Sequence, residues 1–228
     1  MFASPPLALL QRSLDTHLSD MRGQLMYGIV HGGSDKELRR QSVAFCTDQE
    51  RPFDGFAIGG ALGKDSTELE EIVRFVMDGD GHNGHNGHNG DHAAFGLRAV
   101  ARATHRPVHV LGIADPWNIR KLVTHGCDTF DACFATKISR HGTLLCGDPS
   151  SPSRFSINSG RWKQTTDAPL SETTGCDCST CCRFTPAYVH HLVKAREPLA
   201  DTLISIHNLS YMTKVMDRIR EDIKNGVL

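Results

Sequence analysis

No run of residues in this chain is long and apolar enough to span a bilayer. Neither sign of charge is in excess: 25 Lys and Arg stand against 26 Asp and Glu, a net charge of −1. Nucleic-acid binders that work through bulk attraction carry a basic surplus, so any RNA contact here must come from a local patch. An extracellular disulfide framework is missing too. Four of the eight cysteines, Cys176, Cys178, Cys181 and Cys182, crowd into seven residues. Cys46, Cys127, Cys133 and Cys146 are scattered among apolar neighbours. That is metal-site spacing plus ordinary buried thiols. The opening MFASPPLALLQRSLD runs directly into a helical pattern and reads as a helix start, not a targeting peptide. A soluble, cytoplasmic protein is expected, with organelle association left open. The 228 residues suffice for one sizeable core or for a piece of a larger domain.

What is present is an alternation of two periodicities. Helical spacing of apolar residues predicts helices over 7–20, 35–48, 66–77, 93–103 and 116–125. The third should be capped by a Ser-x-x-Glu-like start, and the fifth begins at a proline. Short buried runs predict strands over 24–31, 53–58, 107–113 and 127–134. A final amphipathic helix is expected over 208–225, with Leu209, Met212, Val215, Met216, Ile219 and Ile223 along one side. Strands alternating with helices mark an α/β fold with a parallel sheet, open or closed. Residues 78–92 interrupt the pattern with three His-Asn-Gly copies flanked by Asp and Gly. Histidines invite a metal reading. Gly and Asn at this density instead favour an unstructured insertion, which loops tolerate at little cost.

Two groups of residues carry chemistry. Cys176, Cys178, Cys181 and His207 follow the spacing Cys-x-Cys-x2-Cys-x25-His. Three thiolates and an imidazole make a closed donor set, that of a structural Zn²⁺ site, one ion per chain. Cys182 is a competing thiol, and His190 and His191 are ligands on paper, better explained by helix packing or an RNA face. The second group lies at strand ends, where parallel barrels place their chemistry. It comprises His31-Gly32-Gly33, Gly59-Gly60, Leu111-Gly112 and Asp131. Paired glycines let a flat ligand approach the backbone, although tight turns alone would explain any single pair. A carboxylate at a strand end among apolar residues suggests function, and Asp131 is a candidate covalent nucleophile. Asp128 is the alternative, and either carboxylate could instead serve a rim hydrogen bond.

These segments resemble the tRNA-guanine transglycosylases. YGIVHGG, residues 27–33, is similar to the family's GIVQGG. FDGFAIGG, 53–60, resembles its base-pocket strand, and PVHVLGI, 107–113, a further strand. GCDTFDACFATKISRHGT, 126–143, is similar to the segment with the nucleophilic aspartate and the basic loop after it, and the cysteine cluster with His207 closes the series. The resemblance implies a (β/α)₈ TIM-barrel type of fold, of which this chain holds the C-terminal half, with a zinc-binding insertion before the last helix. It implies exchange of the wobble guanine of tRNA for queuine or a related 7-deazaguanine through a covalent Asp131 intermediate. His31, Gly59, Gly60, Leu111 and Gly112 fall on base-pocket positions. Thr136, Lys137, Ser139 and Arg140 fall on the loop that reads tRNA around the wobble site.

The sequence departs from the pattern at His31 for glutamine, Ala135-Thr136-Lys137 for Pro-Thr-Arg, and His141 for asparagine. Gly63 stands where many bacterial members carry valine, which leans toward the larger queuine. The family's N-terminal strands, with their Asp-Ser-Gly-Gly segment, have no counterpart here. A longer protein, or a family subunit in a homo- or heterodimer, is therefore expected to complete the barrel. The expected organisation is a half-barrel over 1–145 and a zinc-binding subdomain with the final helix over 146–228. Two alternatives stay open: a non-catalytic accessory subunit of the same enzyme, and a zinc-stabilised RNA-binding module without activity.

Overall fold

The computed structural model describes residues 5–48, 50–60, 62–79 and 96–228. The His-Asn-Gly repeat, from residue 80 onward, and the first three residues of the helix expected over 93–103 lie outside the described residues. The chain forms two compact units. One comprises residues 1–113 and 121–131, the other 114–120 and 132–228.

The first unit holds α1 (Pro5–Ser19), β1 (Tyr27–Val30), α2 (Lys36–Thr47), β2 (Gly55–Ile58), α3 (Ser66–Asp78), α4 (Leu97–Thr104), β3 (Val108–Val110) and β4 (Thr129–Phe130). α5 (Pro116–Thr124) joins β3 to β4. The four strands are parallel and pair in chain order, β1-β2-β3-β4, with no reversal. Every predicted strand is present but shorter than its apolar run, because the flanking residues form the turns that parallel connections require. Asp35 caps α2 by accepting from Leu38 N at 3.0 Å. The cap of α3 is Asp65, not Ser66: its carboxylate accepts from Thr67 N at 2.9 Å and Glu68 N at 3.0 Å, while Glu68 reaches back to Lys64 N.

The register sorts side chains by parity. Val30 pairs with Ile58, Ile58 with Val110, and Val110 with Phe130. The first three are fully buried and share a core with Phe53, Phe56, Val73, Val76, Leu97 and Leu122. Each such side chain contributes roughly 1.5–3 kcal/mol by leaving water. Burial pushes the Cys46 and Cys127 thiols up to about 12, which marks them as inert core residues. The odd-numbered residues occupy the opposite sheet face.

In the second unit, α6 (Phe134–Ser139) precedes an antiparallel pair, β5 (Thr143–Cys146) and β6 (Ser153–Ser156). Then come a 3₁₀ turn (Gly160–Gln164), α7 (Leu170–Thr174), α8 (Ser179–Arg183), α9 (Pro186–Ala195) and α10 (Pro198–Lys224). The final helix starts ten residues earlier than its periodicity predicts, at a proline in its first turn. Its buried face is Ala200, Leu203, Ile204, His207, Asn208, Tyr211, Val215, Ile219 and Asp222. Leu209 and Ile223, expected on that face, are half exposed. An apolar-only reading misplaced the stripe because three of its members are polar. Asp222 forms an ion pair with Arg120 at 2.7 Å and accepts from Arg218 Nε at 2.9 Å. Asn208 is wholly buried. Its oxygen accepts from Leu145 N at 2.9 Å, and its nitrogen donates to Thr143 O and Ser139 Oγ at 3.0 Å and Ala135 O at 3.2 Å. The 145/146 boundary expected from sequence falls inside this unit, since Asn208 ties α6 and β5 to α10.

Asn208→Ala takes the side-chain acceptor from the Leu145 N–H and the amide donor from Thr143 O, Ala135 O and Ser139 Oγ. A loss of at least about 2 kcal/mol is expected in denaturant titrations that follow Trp162 fluorescence. A loss below about 0.5 kcal/mol would show that the network does not hold the unit together.

Candidate active-site rim and metal centre

One residue beyond each paired strand position stand His31, Gly59, Leu111 and Asp131. All are odd-numbered, so all lie on the face opposite the apolar core. The backbone supports this row: Gly59 N donates to Val30 O at 3.1 Å and Leu111 N to Ile58 O at 3.0 Å. These four, with Gly60 and Gly112, bring all six residues predicted for the base pocket and the nucleophile to the C-terminal rim of the sheet. A Cβ on Gly59 would meet Leu111 Cδ1 at 2.7 Å, so a larger residue there would push the Leu111 side chain aside. Gly60 and Gly112 have φ of 80° and 77°, a region open to glycine at little cost.

Arg39 organises the rim and was not legible in the sequence, where it looks like one more basic residue on α2. It is 1 % exposed. Its guanidinium donates to Val30 O and Gly59 O at 2.8 Å and to Gly33 O at 2.9 Å. These carbonyls lie at or just beyond the ends of β1 and β2, and Val30 O accepts from Gly59 N as well. Burial lowers the Arg39 pKa to about 10, still charged at neutral pH. His31 N donates to Ser42 Oγ at 3.0 Å. Burial, then the Arg39 charge, holds the His31 imidazole below its ordinary value. It stays neutral and offers one donor and one acceptor.

Asp131 is more exposed than its apolar neighbours suggested, at 60 % of its side chain. Its Oδ1 accepts from Gly112 N at 3.0 Å and from His109 Nε2 at 3.0 Å. The Gly112 N–H, then the His109 ring, lower its pKa and keep it ionised. Asp128 plays the rim role: its Oδ2 accepts from Val108 N at 2.7 Å. Gly63 has φ of 92°, and a Cβ there would meet Glu68 at 2.9 Å. The backbone accounts for that glycine, and it carries no argument about base size.

The loop residues belong to the second unit. Thr136, Lys137 and Arg140 are exposed on and after α6. Thr136 and Arg140 line a groove with Asp201, Thr202 and Ser205 of α10. Ser139 is fully buried, donates to Ala135 O at 2.8 Å and accepts from Asn208. It shapes the loop from inside and has no free hydroxyl for a ligand.

In the same unit, the ligand atoms of Cys176, Cys178, Cys181 and His207 all lie within 4.8 Å of one another. Gly175, at φ 65°, turns the chain out of α7 into Cys176. Cys178 precedes α8, and its carbonyl accepts from Cys182 N at 3.0 Å. Thr180 donates to Leu203 O at 2.8 Å, which docks α8 on α10 one turn before His207. His207 Nε2 donates to Leu145 O at 2.7 Å, so Nδ1 carries the lone pair. That Nδ1 sits 3.1 Å from Cys181 Sγ and 4.0 Å from Cys178 Sγ. Burial keeps the imidazole neutral, as ligation requires. Four such donors at this separation could hold one metal ion. Cys182 is exposed and turned to Asp177 O at 3.4 Å. His190 is buried and bonded to Ile157 O at 2.7 Å, which makes it a packing residue.

Residues 6–228 match the family model described as queuine tRNA-ribosyltransferase. Curated relatives bear the same name. One from Chlamydia pneumoniae is 39 % identical over 214 residues, covering 93 % of this chain and 49 % of the relative. One from Protochlamydia amoebophila is 35 % identical over 218 residues, covering 96 % and 48 %. A third, from Chlamydia abortus, is 38 % identical over 215 residues, covering 93 % and 49 %. The chain spans about half the length of the curated relatives it matches.

Removing the Arg39 charge has a signed consequence for His31. Because the folded His31 pKa is depressed, the stability tied to it is present above the ordinary imidazole value of about 6.5 and falls as pH drops through the folded value. Arg39→Met should raise the His31 pKa, followed by ring-proton NMR, and destabilise the chain by about 2 kcal/mol or more. An unmoved His31 titration would show that the guanidinium does not act on the rim.

Proposed function

The chain belongs to the queuine tRNA-ribosyltransferase family, and on that premise we propose that it carries the nucleophile, the base pocket and the zinc lobe of a tRNA-guanine exchange enzyme, a pentosyltransferase. The observation that carries the reading is the rim row, His31, Gly59, Leu111 and Asp131, with an ionised, exposed carboxylate at its end. An ionised carboxylate is a nucleophile for an anomeric carbon. Asp131 attacks C1′ of the wobble nucleoside; a C–O bond forms, the C1′–N9 bond breaks, and guanine leaves with the electron pair. The incoming 7-deazaguanine, queuine or a precursor, then attacks C1′ and regenerates the carboxylate. Guanine gains one proton and the incoming base gives up one, so the exchange balances.

His31, Gly59, Gly60, Leu111 and Gly112 bind the base in this reading. Neutral His31 presents a donor and an acceptor to its edge, and the glycines admit a flat ring against the backbone. Thr136, Lys137 and Arg140 contact the tRNA around the wobble site, with a salt-dependent share from the two cations. Ser139 supports that loop from its buried position. Four strands are half of what an eight-stranded barrel needs, and β1 and β4 are edges among the described residues. Activity therefore requires the strands that complete the barrel, from the same polypeptide or from a family subunit in a dimer. No helix of the described residues is long and apolar enough to cross a membrane.

Zinc suits the Cys176, Cys178, Cys181 and His207 donors, three thiolates and a neutral imidazole whose second nitrogen is already engaged. With all four positions taken by protein, the ion stabilises the fold and takes no part in the exchange.

Asp131→Asn should bring incorporation of labelled guanine into tRNA to background while tRNA binding persists. Retained exchange would reject the nucleophile assignment. Elemental analysis should find one zinc per chain, and Cys181→Ser should lose it with a lower Tm. Metal-free protein with an unchanged Tm would reject the structural role.

A further inference from the structure

The strand register places a second polar residue against Asp131. His109 pairs with Thr129 across β3 and β4, and Asp131 lies two residues beyond Thr129 on the same sheet face. The distances follow from that placement. His109 Nδ1 lies 2.8 Å from Thr129 Oγ1, and Nε2 lies 3.0 Å from Asp131 Oδ1. An ionised carboxylate accepts only, so Nε2 carries the hydrogen. Nδ1 is then the acceptor, and the Thr129 hydroxyl donates to it. One tautomer satisfies all three residues. The imidazole is the less exposed partner, 20 % against 60 % for the carboxylate.

Both hydrogen bonds to Asp131, from Gly112 N and from His109 Nε2, end on Oδ1. Among the described residues, Oδ2 has no hydrogen-bond partner. The carboxylate is therefore held at one oxygen and open at the other.

We propose that His109, locked by Thr129, is a positioning residue that fixes Asp131 so that Oδ2 faces the reacting carbon. This rests on the reading of Asp131 as the nucleophile. In the first displacement Oδ2 forms the bond to C1′ while the two donors hold Oδ1 still. In the second, the ester C–O bond breaks and its electron pair returns to the carboxylate. The same donors stabilise the charge that reappears. No proton moves to or from His109 in either step.

The test has two arms. In the first, the carboxyl carbon of Asp131 is titrated by NMR in the labelled chain. His109→Phe should move the Asp131 pKa upward, because one of its two donors is gone. The conservative His109→Gln, which retains an N–H, should restore it. In the second arm, base exchange is measured on the enzyme as purified from its source. His109→Phe should lower kcat by ~10–100-fold, the cost of a loosely held reacting group, with KM for tRNA unchanged. His109→Gln should recover most of that loss. Thr129→Val leaves Asp131 untouched and guards against a His109 variant that fails to fold; it should give a smaller fall in kcat. A merely structural His109 would shift Tm and leave kcat and the Asp131 titration alone, and that result would overturn the proposal. A moved titration with no base exchange in the unaltered enzyme would instead refute the exchange reading, and the positioning role with it. The first arm reads without turnover, so the two failures are told apart.

Discussion

Register between parallel strands is the constraint on which the candidate site depends. Side chains alternate faces with a period of two, so a slip of one residue would carry the whole rim row to the other face. Val30, Ile58 and Val110 forbid that slip, because all three are fully buried on the core face. Their burial places His31, Gly59, Leu111 and Asp131 together without any direct contact among the four being needed. The same alternation sets His109 beside Thr129 one layer down.

Buried polar groups then give the scaffold its definition. A buried guanidinium, amide or imidazole is costly unless its hydrogen bonds are met. Arg39 meets its own at carbonyls where β1 and β2 end, and in doing so fixes the chain around Gly59. In the second unit Asn208 does the equivalent for β5 and α6, and His207 for β5 and the cysteine cluster. Each is a side chain that an all-apolar packing could not replace without orphaning backbone groups. Each also holds a candidate functional residue in place: the base-pocket glycine, the Thr136–Arg140 loop, the metal-facing nitrogen.

Much of this was legible in the sequence. The β-α alternation found all four parallel strands, because buried strands read as short apolar runs between glycines. Close cysteine spacing found the four residues that could hold a metal ion, since three ligands from one loop need little long-range folding. The failures have physical causes. The β5–β6 pair escaped notice because Ser153–Ser156 is mostly exposed and carries no apolar run. The final helix was misplaced because His207, Asn208 and Asp222 belong to its buried stripe. Arg39 and His109 were missed because their roles depend on carbonyls and carboxylates brought near by the sheet. His109 did leave a trace: a polar residue between two buried valines, on the face that Asp131 shares.

The exchange reading stands on Asp131 forming the bond to ribose. The direct measurement is peptide mapping by mass spectrometry after the enzyme is mixed with tRNA and quenched in acid before an incoming base is added. A ribosyl-linked RNA fragment is expected on the peptide around Phe130-Asp131-Ala132, with fragmentation placing it on Asp131. An adduct on Asp128 or another residue, or rapid exchange with no adduct, would contradict it.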